Sequence, residues 1–261
     1  MSNNMAQLHQ QVPPCADFDV LLAGQQTPSF RVLVPERILG HGVTCHDFFH
    51  TIPGDWRKDK GITRGSFAVA DQFAIDVAIK PSQTGIGVVL GVTNRGQTEI
   101  SDVRADICAG LNRLPGNPAW CNERFLPAIP LDRDAQGRYW YEKHTPKRLF
   151  VLTKSGWVAM HPCPDDPDAD KIPPGEFRPS DACDTCACAV ESADGGVWYF
   201  QAWDASCRRC PPRPASACMH IQPFIAERLL PGARAEIHGR FGMHHGNRQS
   251  LEAMLRSLGC A

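Results

Sequence analysis

The chain is short of most features that assign a protein quickly. It has no surplus of one charge: 27 Lys and Arg stand against 28 Asp and Glu, a formal net charge of −1. The basic residues are scattered, so no stretch carries the electrostatic footprint that nucleic acid or an acidic membrane surface demands. No apolar run approaches the roughly 20 residues needed to span a bilayer. The segment Met1-Ser-Asn-Asn-Met-Ala-Gln-Leu-His9 has no basic region followed by an apolar one, and so does not read as a secretory signal. These absences predict a cytoplasmic protein that binds neither nucleic acid nor membrane. A glycine-rich phosphate loop, a G-x-S-x-G elbow and a dinucleotide fingerprint are all missing. His244-His245 is not followed by the glutamate of a zincin helix. There is no internal repeat and no low-complexity tail.

What the chain does have is alternation of period two, with 22 Gly and 22 Pro as punctuation. Phe73, Ile75, Val77 and Ile79 point one way, and Ile86, Val88, Leu90 and Val92 repeat the pattern. Val103, Ala105 and Ile107 follow, with Asp102, Arg104 and Asp106 outward. These three segments predict an antiparallel meander with one wet face. Further strands are predicted at Phe18–Ala23, Phe30–Pro35, Arg138–Glu142, Arg148–Thr153, Trp157–Met160, Ala217–Ile221 and Ala233–His244. Helical spacing is clear only near the end, where Leu251, Met254, Leu255 and Leu258 precede Gly259; a short helix is also compatible with Pro118–Phe125. About a dozen strands and one terminal helix predict an all-β fold, a large antiparallel β-sandwich, as a single domain over residues 1–261. Two long irregular stretches, 109–137 and 161–181, interrupt it.

Cysteine is plentiful, with 12 in the chain. Cys183-Asp-Thr-Cys186 and Cys207-Arg-Arg-Cys210 form two knuckles separated by 20 residues. That is the upper edge of zinc-site spacing. Thr185–Ser192 and Val197–Trp203 read as the arms of a hairpin turning at Asp194-Gly195-Gly196, which brings both ends together. Cys183, Cys186, Cys207 and Cys210 would then form a closed, structural zinc site within residues 183–210. Disulfides and plain buried thiols are the alternatives, and Cys188 could replace Cys186 as a ligand.

Candidate chemistry rests on histidines and aromatics. His41, Cys45, His46, Asp47 and His50 cluster early. On a helical turn His46 and His50 share a side and could share a metal; on a strand they stand about 13 Å apart; as a polar loop they do nothing special. His220 alternates with Cys218, opposite Met219 and Ile221, and so suits acid–base work near neutrality or a satisfied structural role. Trp203-Asp204 ends the hairpin, and Trp203 could stack on a sugar or fill the core. Tyr139, Trp140 and Tyr141 form a second aromatic cluster, and Arg124 could clamp a carboxylate.

Several segments carry a resemblance. Tyr199-Phe-Gln-Ala-Trp-Asp204, Cys218-Met-His-Ile-Gln-Pro223, Pro231-Gly232 and Gly239-Arg-Phe-Gly-Met-His-His-Gly246 resemble a group of bacterial β-sandwich proteins similar to the galactose-mutarotase-like supersandwich fold. Val92-Thr-Asn-Arg-Gly-Gln-Thr98 and Val103-Arg-Ala-Asp-Ile-Cys108 extend the likeness to roughly Ser66–Leu258. The resemblance implies a sheet face lined by His, Arg, Trp and carboxylates that holds a sugar. It implies a His acid, for which His220 is the candidate, and a carboxylate base, for which Glu236 is a candidate by position.

The leading expectation is a carbohydrate lyase or epimerase acting by proton transfer on a sugar or sugar acid. His220, His46 and His50 would be its catalytic groups, and Trp203, Asp204, Arg124 and Tyr141 would bind a small-molecule or oligosaccharide ligand. A non-catalytic carbohydrate-binding or interaction module is the second reading. A metal-dependent hydrolase or oxidase using His46 and His50 is the third. Oligomeric state is not legible.

Overall fold

The computed structural model describes residues 5–11, 15–43, 52–69, 71–111, 149–159, 183–192, 195–208, 212–213 and 218–260. In chain order the strands are β1 (Gln7–Gln10), β2 (Asp17–Leu21), β3 (Phe30–His41), β4 (Asp55–Asp59), β5 (Ile62–Val69), β6 (Phe73–Pro81), β7 (Gly85–Asn94) and β8 (Ile100–Gly110). They continue with β9 (Leu149–Thr153), β10 (Gly156–Ala159), β11 (Cys186–Glu191), β12 (Val197–Trp203), β13 (Pro212–Arg213), β14 (Cys218–Ile221), β15 (Phe224–Leu229) and β16 (Arg234–His245). One helix, α1 (Arg248–Ser257), follows.

The strands form two sheets, and every neighbouring pair is antiparallel. A seven-stranded sheet runs β1-β2-β3-β8-β14-β13, with β15 also paired to β8. A nine-stranded sheet runs β10-β9-β11-β12-β16-β7-β6-β5-β4. Alternation aims one side of each strand at a shared core: Phe18, Val32, Ile107 and Met219 from the first sheet meet Val77, Leu90, Tyr199 and Phe241 from the second. The rings of Phe30 and Tyr199 touch across the sandwich with centroids 4.9 Å apart.

The predicted β-sandwich is therefore present, with one difference in its middle. β6 and β7 pair as the alternation suggests, but β8 does not complete a meander. After the turn at 95–99 the chain crosses to the other sheet, where β8 lies between β3 and β14. Asn94 anchors the crossing by donating from Nδ2 to the carbonyls of Thr98 and Leu229, both at 2.8 Å. Two sheets that share one core present the same alternation, so the pattern cannot say which sheet a strand joins. Five strands, β1, β4, β5, β13 and β15, lie outside the strands read from alternation.

Helix α1 starts where the Asn247 side chain accepts a hydrogen bond from the Ser250 amide at 2.9 Å. Leu251 and Leu255 are buried and Met254 partly so, over Trp198, Phe200 and Ala202 of β12. Leu258, predicted to pack with them, is instead the C-cap and is exposed. The helix covers only part of the nine-stranded sheet's outer face. That explains why β12 is buried on both sides while β6 alternates buried and exposed. The predicted strand Arg138–Glu142 and helix Pro118–Phe125 fall outside the described residues.

Candidate functional site

β8 and β14 pair so that Cys108 faces His220. Because Ile107, Met219 and Ile221 point into the core, Asp106, Cys108 and His220 share the opposite, outer face of the seven-stranded sheet. Glu36 reaches the same place from β3. The register jumps between Leu33–Cys108 and Arg37–Asp106, four positions on β3 against two on β8. Such a bulge re-aims side chains, and Glu36 sits within it. The His220 Nδ1 lies 3.4 Å from one Glu36 carboxylate oxygen and 3.6 Å from one of Asp106. One donor atom each of Glu36, Cys108 and His220 falls within 4.8 Å of the others. His220 is 2% exposed, Asp106 3% and Glu36 8%.

One row further along the same face, Arg31 pairs in register with Gly110. Its guanidinium grips Asp17 with Nε–Oδ1 at 2.6 Å and a second nitrogen to Oδ2 at 2.8 Å, a bidentate pair that is also buried. The outer face of this sheet is thus a buried polar layer of two carboxylates around one imidazole beside a fixed Arg–Asp fork. Such a layer can move a proton or hold a cation.

Sequence reading singled out His220 but not its partners. Alternation reads Asp106 as an outward residue on a wet face, whereas it is buried. The signal for Glu36 is its neighbour Pro35, since proline inside a strand marks a bulge. His41 pairs with Ser101, seven residues along β8 from Cys108. That places it about 23 Å from the His220 row at strand rise, so His41 is not a neighbour of His220. His46, His50, Arg124, Tyr141 and Cys210 lie outside the described residues.

Trp203 is in the core. It is fully buried, edge-on to Phe241 at 5.9 Å, and a Cβ on Gly239 would stand 2.6 Å from its ring. Only glycine fits beneath this indole, and no ring face is left for a sugar. Asp204, the next residue, emerges on the outer face of the nine-stranded sheet. Its carboxylate accepts from the His238 amide at 2.6 Å and meets His238 Nδ1 at 2.7 Å. His238 Nε2 lies 3.5 Å from Glu236. Glu236 also accepts from Arg234, whose hydrogen bond holds its carboxyl below the usual range. Glu236 therefore belongs to the face opposite His220, across the full thickness of the sandwich.

The cysteine hairpin forms with its ends adjacent. β11 pairs with β12 from Cys186–Trp203 to Glu191–Trp198. Beyond it, the Cys183 and Cys207 backbones exchange hydrogen bonds of 2.8 and 2.7 Å. Cys186 and Cys188 are fully buried. Burial, then the contact with Cys207, pushes the Cys186 thiol well above its ordinary range. Cys183 Sγ donates to the Leu152 carbonyl at 3.4 Å.

No family model matches the sequence, and no curated protein matches it. Solved structures match the fold. A galactose mutarotase-like protein from Lactobacillus casei aligns over 94% of this chain and 99% of its own, with a TM-score of 0.51 and 10% identity. A polysaccharide lyase aligns over 97% of this chain with a TM-score of 0.50 and 10% identity; the match spans 34% of that enzyme. A galactose mutarotase-related enzyme from Lactobacillus acidophilus aligns over 95% of this chain and 97% of its own, with a TM-score of 0.47 and 10% identity. The architecture is that of the galactose-mutarotase-like sandwich. Among the described residues, no helix is long and apolar enough to cross a membrane.

Proposed function

We propose that the chain is a carbohydrate-active enzyme of the lyase or epimerase type, moving a proton on a sugar or sugar acid with His220 as the acid–base group. The observation that carries this reading is the buried imidazole flanked by Glu36 and Asp106. Carboxylates at Nδ1 orient the ring and stabilise the imidazolium that forms during transfer. Nε2 is then the atom that exchanges a proton with substrate. The Arg31–Asp17 fork stiffens the adjoining row. His46, His50, Arg124 and Tyr141 enter this proposal on sequence alone, as does a structural zinc on the hairpin cysteines.

The test is incubation with a panel of free aldoses and uronates in deuterated water, read by anomer exchange, deuterium incorporation and release of unsaturated product. Wild-type protein should accelerate one of these. His220→Gln should slow it by about 100-fold or more, the usual worth of a positioned acid–base group, with the same fold by circular dichroism. Full turnover in the variant removes His220 from the chemistry.

A second reading has its own observation. Glu36, Cys108 and His220 offer oxygen, sulfur and nitrogen within 4.8 Å, a donor set suited to zinc or a similar borderline metal. The residues fit such an ion, which would act as a Lewis acid on a substrate oxygen. Turnover would then be lost to a chelator and restored by metal, whereas proton transfer by His220 alone is indifferent to chelation.

A further inference from the structure

We infer that Cys183 and Cys207 form an oxidative modification site: a peroxide joins them in a reversible cross-strand disulfide that stiffens the link between the hairpin and the strand presenting His220. The inference needs only these two sulfurs, so it stands or falls independently of the chemistry proposed for His220. Zinc on these sulfurs and a disulfide between them exclude one another, because the ligand is the thiolate; oxidation would expel a bound ion.

Backbone pairing sets the two residues face to face. Cys183 and Cys207 form an isolated antiparallel bridge beyond the Cys186–Trp203 end of the hairpin. Each amide donates to the other's carbonyl, at 2.8 and 2.7 Å. In such a pair the α-carbons stand about 5.5 Å apart, inside the range a disulfide spans, and both side chains leave the same side of the sheet. Directly opposed β-carbons are separated by about 4.5–5.5 Å, whereas a relaxed disulfide holds them at about 3.5–4.5 Å. The bond therefore forms by a small closing of the pair, under strain. Strain of this kind raises the reduction potential and keeps a disulfide labile.

Access divides the roles. Among the described residues, Cys183 alone of the cysteines is not buried; Cys207 is 1% exposed. The Cys183 sulfur rests against the Leu152 carbonyl at 3.4 Å and the Thr185 hydroxyl at 3.3 Å, weak contacts for a thiol. A peroxide therefore meets Cys183 first. Its sulfur attacks one peroxide oxygen, the O–O bond breaks, and water leaves with the thiol proton, giving a sulfenic acid. The Cys207 sulfur then attacks the sulfenic sulfur from across the pair. The S–O bond breaks, a second water leaves with the Cys207 proton, and the S–S bond forms. Two thiols have lost two electrons, and one peroxide has become two waters. A dithiol reductant reverses the change by exchange. Cys186 touches Cys207 but is fully buried, so no oxidant reaches it.

The position of Cys207 gives the bond its reach. On its other edge Cys207 is bridged to Pro223. The Arg208 amide donates to the Gln222 carbonyl at 3.0 Å, and the Phe224 amide donates to the Ser206 carbonyl at 2.9 Å. Residues 206–208 thus form a seam between the hairpin of the nine-stranded sheet and the β14–β15 connection of the seven-stranded one. A disulfide fixes one side of that seam covalently, and the amides on its other side then open less often.

The test treats reduced protein with hydrogen peroxide, digests it without reductant and maps the peptides by mass spectrometry. The peptides bearing Cys183 and Cys207 should appear joined, and dithiothreitol should separate them. Cys183→Ser should remove the crosslink, and Cys186→Ala should crosslink like wild type. Cys207→Ser should leave Cys183 as a sulfenic acid that dimedone traps. Should that variant not fold, brief dimedone trapping of wild-type protein must still label Cys183 ahead of Cys207. In the oxidised protein the Cys207 and Phe224 amides should exchange about tenfold more slowly, and peroxide should cause no such change in Cys183→Ser. A crosslink to Cys186 or another cysteine in place of Cys207, or labelling of Cys207 first, overturns the inference. Unchanged exchange at Phe224 overturns its reach to β14.

Discussion

Asp17 and Arg31 show how much the outer face of the seven-stranded sheet depends on exact partners. Both are more than nine-tenths buried. Removing one strips the other of its bidentate partner in a poor solvent for charge. Asp17→Ala should therefore cost about 3–5 kcal/mol, measured by urea unfolding, while Asp184→Ala, which breaks the exposed pair with Lys154, should leave the urea midpoint nearly unchanged. Similar losses for the two would show that the buried fork is not under this strain. The same scale explains what was legible. His220 declared itself by alternating against Met219 and Ile221. Asp106 alternates equally well, yet its pattern says only that it faces away from the core, not that this second face is also buried. Trp203 was readable as either core or ligand platform, and the deciding fact, Gly239 beneath its ring, comes from a strand 36 residues later in the chain.

The elements differ in how far their sequences foretell them. The hairpin β11–β12 is local: its turn residues and its arms lie within one window, so its register and the meeting of Cys183 with Cys207 follow from short-range rules. β8 is the opposite case. Its alternation marks it as a strand, but its partners β3, β14 and β15 come from both ends of the chain, and only packing selects them. The zinc proposal belongs to the hairpin. A site on Cys183, Cys186, Cys207 and Cys210 should give one zinc per chain by elemental analysis. Ligation requires thiolates and protons compete for them, so zinc should be lost on acidification and hairpin amides should then exchange faster. Metal-free protein with slow hairpin exchange would leave four thiols and no site.

The molecule as a whole is a core between two sheets whose outer faces have diverged. One outer face is a buried polar layer around His220; the other is an open, charged cleft bounded by α1. Gln201 links the two halves, donating from Nε2 to the Met219 carbonyl at 2.7 Å from the fully buried middle of β12. Met219 precedes His220, so this bond holds the strand that presents the imidazole. Gln201→Leu should cost about 1–3 kcal/mol for the stranded carbonyl and should lower turnover without touching substrate; a variant of full stability and activity would show that β14 needs no such tether. The crossing from β7 to β8 has a further consequence, in time rather than space. As the chain leaves the ribosome, Glu36, Asp106 and Cys108 can come together on β3 and β8 while more than 100 residues still separate them from His220. The half-built face must wait without its imidazole until β14 arrives. Folding of this kind is dominated by distant contacts and is slow, in the range of milliseconds to seconds or beyond. A chain halted before Cys218 would own most of the sandwich's strands and none of its chemistry.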